Sequence, residues 1–230
     1  MDDQTKIDIA RLKPEEFDTS RTPDRLIRFE RDPSTCPTEM SRPSELLAYG
    51  SGIPEQYSLF GDQSKPLRFG VKRHHAHRLH TDFRLEAFGQ LLSWASYKRP
   101  SLDPRKVIEL REMGDHDPRY MKVERRIPDG SYGAGPMVVW DYGTYRPLHL
   151  GNVSHEQAVV YALQQGRLDF WLEGVRLKGG FRLEITHRGW QLSKLDDEHA
   201  TVEPFEWDDY SVLSGKSLDD IEAEYRGRLR

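Results

Sequence analysis

From Leu67 onward, apolar and polar residues alternate in short bursts, and turn residues separate the bursts. Alternation with a period of two marks strands with one face in a core and one face outside it. It predicts strands over 67–73, 78–86, 90–97, 107–113, 136–142, 168–173, 180–187 and 190–195. Ala87-Phe88-Gly89, Lys178-Gly179-Gly180 and Arg188-Gly189 are the turn signals between them, and the last three strands read as a meander. Two helices interrupt this texture. Ser154 with Gln157 three residues on is a capping box, opening a run through Ala158, Ala162 and Leu163 that stops at Gly166. Ser217 caps a second run with Leu218, Ile221 and Tyr225 on one face. Many short strands with turns at this spacing predict a mainly β (α+β) fold, a barrel or a sandwich.

Residues 1–64 break the pattern. They are polar and dotted with Pro14, Pro23, Pro33, Pro37, Pro43 and Pro54, and read as an irregular arm and loops with a short helix near Leu26. The expected organisation is this arm, contributing to the site, followed by one domain over 65–230. No internal repeat is legible.

Composition sharpens the picture at three points. No apolar run is long enough to span a bilayer, and the acidic N-terminus lacks the apolar stretch of a signal peptide. With Cys36 as the single cysteine, no intrachain disulfide forms, and a cytoplasmic location without a membrane partner is expected. The formal net charge is −4, yet residues 65–126 hold 15 Lys/Arg against 8 Asp/Glu. That asymmetry implies a basic face suited to phosphate groups.

Candidate chemistry gathers in Arg73-His74-His75-Ala76-His77-Arg78-Leu79-His80-Thr81-Asp82-Phe83-Arg84-Leu85-Glu86. Five of the nine histidines fall between positions 74 and 116. On a strand, His80, Asp82, Arg84 and Glu86 share one face, while Leu79, Thr81, Phe83 and Leu85 share the other. Two imidazoles and a carboxylate, with His74 as the third ligand, make a divalent-metal site that leaves positions open for water or substrate. Arg84 stands one step beyond, where a guanidinium can fork onto a phosphate. The same ligand types also fit the facial triad of iron oxygenases, and that reading stays open on local chemistry alone.

This segment resembles the phosphoesterase domain of bacterial DNA ligase D, whose core motif reads roughly K-H-x-A-x-x-L-H-Y-D-F-R-L-E. The resemblance continues through Ser93-Trp94-Ala95, Lys98-Arg99-Pro100-Ser101-Leu102-Asp103-Pro104, Asp115-His116 with Tyr120, Ile127-Pro128-Asp129-Gly130-Ser131-Tyr132-Gly133-Ala134-Gly135 and Val139-Trp140-Asp141. Leu177-Lys178-Gly179 and Ser211-Val212-Leu213-Ser214-Gly215 also fit, so the coverage is about 65–220.

The resemblance implies a single β-barrel domain with a few flanking helices. It implies a manganese-dependent enzyme that removes a 3′-terminal ribonucleoside and then the 3′-phosphate it leaves, in DNA repair by end joining. The metal ligands it implies are His74, His80 and Asp82. Phosphate-contacting or catalytic positions fall on Arg84, Lys98, His116 and Tyr120, and an upstream acidic pair on Asp18 and Asp24. His116 is expected as a general acid or cationic phosphate clamp, because imidazole titrates near neutrality. The expected partners are nucleic-acid 3′ ends, with a DNA ligase or end-binding protein acting in trans.

Three positions depart from the family pattern. Ile108 stands in place of an arginine, Gly114 in place of a glutamate and Phe17 in place of an arginine. Arg105, Lys106 or Arg111 would have to replace the first, and Glu112 the second, by a strand shift. These departures keep alive a catalytically weakened module that binds ends or recruits a ligase.

Overall fold

A computed structural model describes residues 66–149, 153–203 and 208–228. Nine strands account for most of it: β1 (Leu67–His75), β2 (Leu79–Ala87), β3 (Gln90–Ser96), β4 (Val107–His116), β5 (Arg125–Ile127), β6 (Gly135–Pro147), β7 (Arg167–Gly174), β8 (Lys178–Thr186) and β9 (Gly189–Lys194). The order is β1-β2-β3-β4-β9-β8-β7-β6-β5, and β1 also pairs with β6. That last pairing closes eight antiparallel strands into a barrel and leaves β5 appended to β6. Closure removes the free edges that an open sheet would expose.

The alternation explains the core. On β1 and β2, Phe69, Val71, Phe83 and Leu85 point into the barrel with no exposed surface. Trp94, Ile108, Leu110, Trp190, Phe181 and Phe170 continue the interior around the other strands. Trp94 meets Trp190 edge-on at 6.0 Å between ring centroids, an arrangement the aromatic quadrupole favours. Phe88 and Gly89, both at positive φ, form the two-residue turn that joins β2 to β3.

The helices follow the sequence signals. α1 (His155–Gln164) starts at the Ser154–Gln157 capping box and lays Val159, Ala162 and Leu163 onto the core. The Phe88 N–H donates to Glu156 at 2.7 Å, which ties this helix to the β2–β3 turn. α2 (Leu218–Arg228) begins where the Ser217 hydroxyl accepts from the Asp220 N–H and the Asp220 carboxylate accepts in return. It buries Ile221 and packs on β5 and β6. Among the described residues no helix is long and apolar enough to cross a membrane. The expected short helix near Leu26 and the arm over 1–64 lie outside the described residues.

β5 and β6 differ most from the expectation. β5 has only three residues and no alternation, so it carries no periodic signal. β6 runs past 142 to Pro147 because Gly143 continues the strand. A side chain there would drive its Cβ to 2.0 Å from the Glu173 carbonyl oxygen, so the glycine reflects close approach of β7, not a turn.

Candidate metal centre and phosphate cleft

The outer faces of β1 to β4 form the floor of a broad open cleft of about 1320 Å³. His74 and His80 are direct partners across β1 and β2, with ring centroids 4.7 Å apart. Asp82 is two residues further along the same face, its Oδ1 3.4 Å from His80 Nε2. One ligand atom from each of His74, His80 and Asp82 lies within 4.8 Å of the other two. His74 thus lies on β1 itself, which runs past the 67–73 expected for it.

Each imidazole is aimed by a backbone carbonyl. His74 Nε2 lies 2.8 Å from the Gly133 oxygen, and His80 Nδ1 lies 2.9 Å from the Arg78 oxygen. A carbonyl only accepts, so those nitrogens carry protons and His74 Nδ1 keeps its lone pair, while His80 Nε2 faces the Asp82 carboxylate, whose bond raises the His80 pKa and which a bound cation would replace. This is how metal-ligating histidines are commonly oriented. Gly133 reaches His74 through a backbone at φ +73°, which side-chain-bearing residues rarely adopt. The donor set of two neutral imidazoles and one carboxylate suits a divalent transition ion. Burial pushes the His74 pKa down, with neighbouring His80 assisting against Asp82. For Asp82, burial opposes ionisation, but the bond to His80 and the charge of Arg84 together hold its pKa below the ordinary carboxylate value.

Arg84 is buried beside this cluster. Its Nη2 stands 3.4 Å from Asp82 Oδ2, and its Nε has no hydrogen-bond partner among the described residues. An unpaired guanidinium N–H at a buried position is costly unless an anion completes it.

His116 reaches the same face through an irregularity. Ser93 pairs with Met113, but Leu91 pairs with His116, so one extra residue sits in β4. Strict alternation from Met113 would turn His116 inward, and the bulge turns it back toward Arg84. Its Nδ1 lies 3.2 Å from the Ser93 hydroxyl, which itself donates to the Leu91 carbonyl at 2.9 Å. Burial, with the charge of Arg84 second, lowers the His116 pKa to about 4. The side chain is therefore neutral at neutral pH, unlike the near-neutral titration its residue type suggests.

Lys72 pairs across the sheet with Asp82 and is almost wholly buried. Its Nζ donates to the carbonyls of Tyr120 and Val123 at 2.7 and 2.6 Å, fixing the turn that carries Tyr120. Burial, reinforced by Arg84, lowers its pKa to about 7. Sequence reasoning missed Lys72, because a lysine inside a strand reads as a solvated position.

Lys98 and Tyr120 also line the cleft, whereas Asp18 and Asp24 lie outside the described residues. His75 and His77 are exposed, and Trp94 and Trp140 are core. Ile108 points into the barrel at 4 % exposure. Arg111, in register with Ala95 and through it with Asp82, lines the cleft without any strand shift. Glu112 instead accepts from the Trp190 indole at 2.9 Å, and Arg105 is bound to Asp103. Neither is available to the site.

Residues 72–184 match the family described as the DNA ligase D 3′-phosphoesterase domain. Residues 72–184 belong to that family. The matched segment holds the three candidate ligand side chains, Arg84, Lys98, His116 and Tyr120. The chain is 40 % identical over 144 residues to the multifunctional non-homologous end joining protein LigD of Pseudomonas aeruginosa, covering 60 % of this chain and 16 % of that protein. It is 35 % identical over 159 residues to the multifunctional non-homologous end joining DNA repair protein LigD of Mycobacterium tuberculosis, covering 68 % of this chain and 19 % of that protein. The LigD protein of Mycolicibacterium smegmatis is 36 % identical over 158 residues. The chain spans less than a fifth of the length of these LigD relatives.

Proposed function

We propose that this phosphoesterase-family barrel is a divalent-metal-dependent hydrolase of nucleic-acid 3′ ends. It removes a 3′-terminal ribonucleoside and then the 3′-phosphate, in the service of end joining. The observation that carries the proposal is the buried Arg84 Nε, without a partner among the described residues and beside three convergent candidate ligand atoms.

His74 Nδ1, His80 Nε2 and an Asp82 oxygen would hold the cation, for which we propose manganese. When bound, such an ion supplies Lewis acidity at the phosphate. Arg84 holds a phosphate oxygen through its open N–H and shares the charge that grows in the transition state. Lys98 adds a second cation from the loop after β3. Tyr120, fixed at its backbone by Lys72, orients the phosphate through its hydroxyl. His116 arrives neutral, so it accepts a proton, and Ser93 holds its ring in one orientation while it does so. Water is the proposed nucleophile. We assign Asp18 and Asp24 to the same site on the strength of the resemblance. A DNA ligase or end-binding protein acting in trans completes the proposed setting, in the cytoplasm.

A second reading, an end-binding module without turnover, rests on Ile108, which places no charge in the cleft. A labelled primer-template ending in one ribonucleotide, incubated with and without manganese, separates the two. Appearance of a 3′-phosphate and then a 3′-hydroxyl, only with metal, is expected. Binding without cleavage in any divalent metal would favour the module.

A further inference from the structure

Two tyrosines at the cleft stand in the open, where core packing does not account for them. Tyr132 is 92 % exposed and Tyr97 is 70 % exposed, and both line the cleft. Large aromatic side chains lose favourable burial when left in water, so such positions are informative when they surround a site.

Their places in the fold are specific. Tyr132 immediately precedes Gly133, whose carbonyl orients His74. Tyr97 follows Ser96, which pairs with Thr81 beside His80. The tyrosines therefore flank the two-histidine end of the centre. Arg84 and His116 lie at its other end, two and more residues further along β2 and its neighbours. The cleft runs from Arg84 past the histidines to the tyrosines, so it has room there for a nucleoside attached to a phosphate at Arg84. Arg78, Lys98 and Arg125 line the same cleft, where they suit the adjoining backbone phosphates.

The base at a 3′ terminus is the one base in a strand with a face that no following neighbour covers. Aromatic side chains bind such faces with little regard to sequence, because every base presents a π surface. We infer that Tyr132 and Tyr97 stack on the base of the 3′-terminal nucleotide and give the cleft a sequence-tolerant grip on strand ends. The inference rests on the phosphoesterase reading for the position of the phosphate. It makes the ring, and not the hydroxyl, the working part of each tyrosine. It also makes an end that lacks its base a poor ligand.

The test uses the full chain and a duplex carrying 2-aminopurine as its 3′-terminal base, with a second duplex ending in an abasic residue. Stacking on a tyrosine changes the 2-aminopurine fluorescence, so binding is read without turnover. Tyr132→Ala is expected to weaken binding of the base-bearing end roughly tenfold, to leave the abasic end unchanged, and to reduce the fluorescence change, which removal of both rings abolishes. Tyr97→Ala should act in the same direction, and Tyr132→Phe should behave as the parent. Equal losses on both ends, or none on either, overturn the inference. Hydrolysis of a 3′-phosphate by the parent is followed in parallel. Hydrolysis with no tyrosine dependence of binding leaves the phosphoesterase reading and removes the stacking. Tyrosine-dependent quenching without hydrolysis does the reverse.

Discussion

At Arg84 the chain buries a guanidinium to 5 % exposure, and among the described residues its Nε is unpaired and its ion pair is a long contact to Asp82. The planar fork is what the position uses, because a lysine places one rotating charge where two fixed N–H groups stood. Arg84→Lys should lower kcat on a 3′-phosphate about a hundredfold, the usual cost of losing one donor aimed at transition-state charge. Steady-state kinetics that show an unchanged kcat would remove Arg84 from the chemistry. Ile108 makes the opposite point. It lies inside the barrel, so Ile108→Arg should not restore a phosphate contact. It should destabilise the fold by about 3 kcal/mol or more, as an unpaired buried charge does, and urea denaturation measures this. The residue scale is also where the sequence was most legible. His80, Asp82 and Arg84 share a face because a strand has a period of two, and that much follows from spacing. His116 does not follow from spacing, since a bulge decides which way it points. Tyr132 could be read equally as core or contact, and only its 92 % exposure separates the two.

Among the elements, the eight barrel strands were legible because each alternates against a shared apolar interior. β5 was not, because three residues paired to one neighbour leave no period to read. The Val139-Trp140-Asp141 motif serves the fold. Asp141 is fully buried and accepts from the backbone N–H groups of Tyr142, Val175, Arg176 and Leu177, which fixes the β7–β8 turn. Lys72 does comparable work for the Tyr120 turn. Lys72→Met keeps the length and removes the ammonium, leaving two carbonyls unpaired at about 1–3 kcal/mol each where they stay buried. Its urea midpoint should fall, and its KM for a 3′-phosphate end should rise as Tyr120 loosens. A midpoint and KM equal to the parent's would show that the turn holds itself. β4 carries a pH dependence. Burial raises the Glu112 pKa to about 7, and burial plus neighbouring Glu112 raises Asp115 to about 8. Both are above the unfolded values of 4.5 and 3.8, so the native state binds protons that the unfolded chain releases. The stability they contribute is complete at acid pH and is lost as pH rises through 7 and 8. The thermal midpoint should fall from about pH 4 to about pH 8 and level off above that, and Asp115→Asn should flatten that fall. A midpoint that rises over this range would contradict the assignment.

Over the whole molecule, the closed barrel turns one face of four strands into a basic cleft, although the chain is acidic overall. Within residues 65–126, Lys72, Arg78, Arg84, Lys98, Arg111 and Arg125 line that cleft against Asp82 and Glu109. Net charge alone hides this, and the local count reveals it. Cleft, ligand cluster and the family of residues 72–184 all support the proposed phosphate-ester hydrolysis at strand ends. The most direct test is to compare the parent with Asp82→Ala on a duplex ending in a 3′-phosphate, in manganese and in chelator, following release of inorganic phosphate. The account predicts release by the parent only with manganese, and a loss of at least about a hundredfold in Asp82→Ala, as for removal of a principal catalytic group. Release that persists in chelator, or that Asp82→Ala leaves intact, would contradict the metal centre on which the account depends.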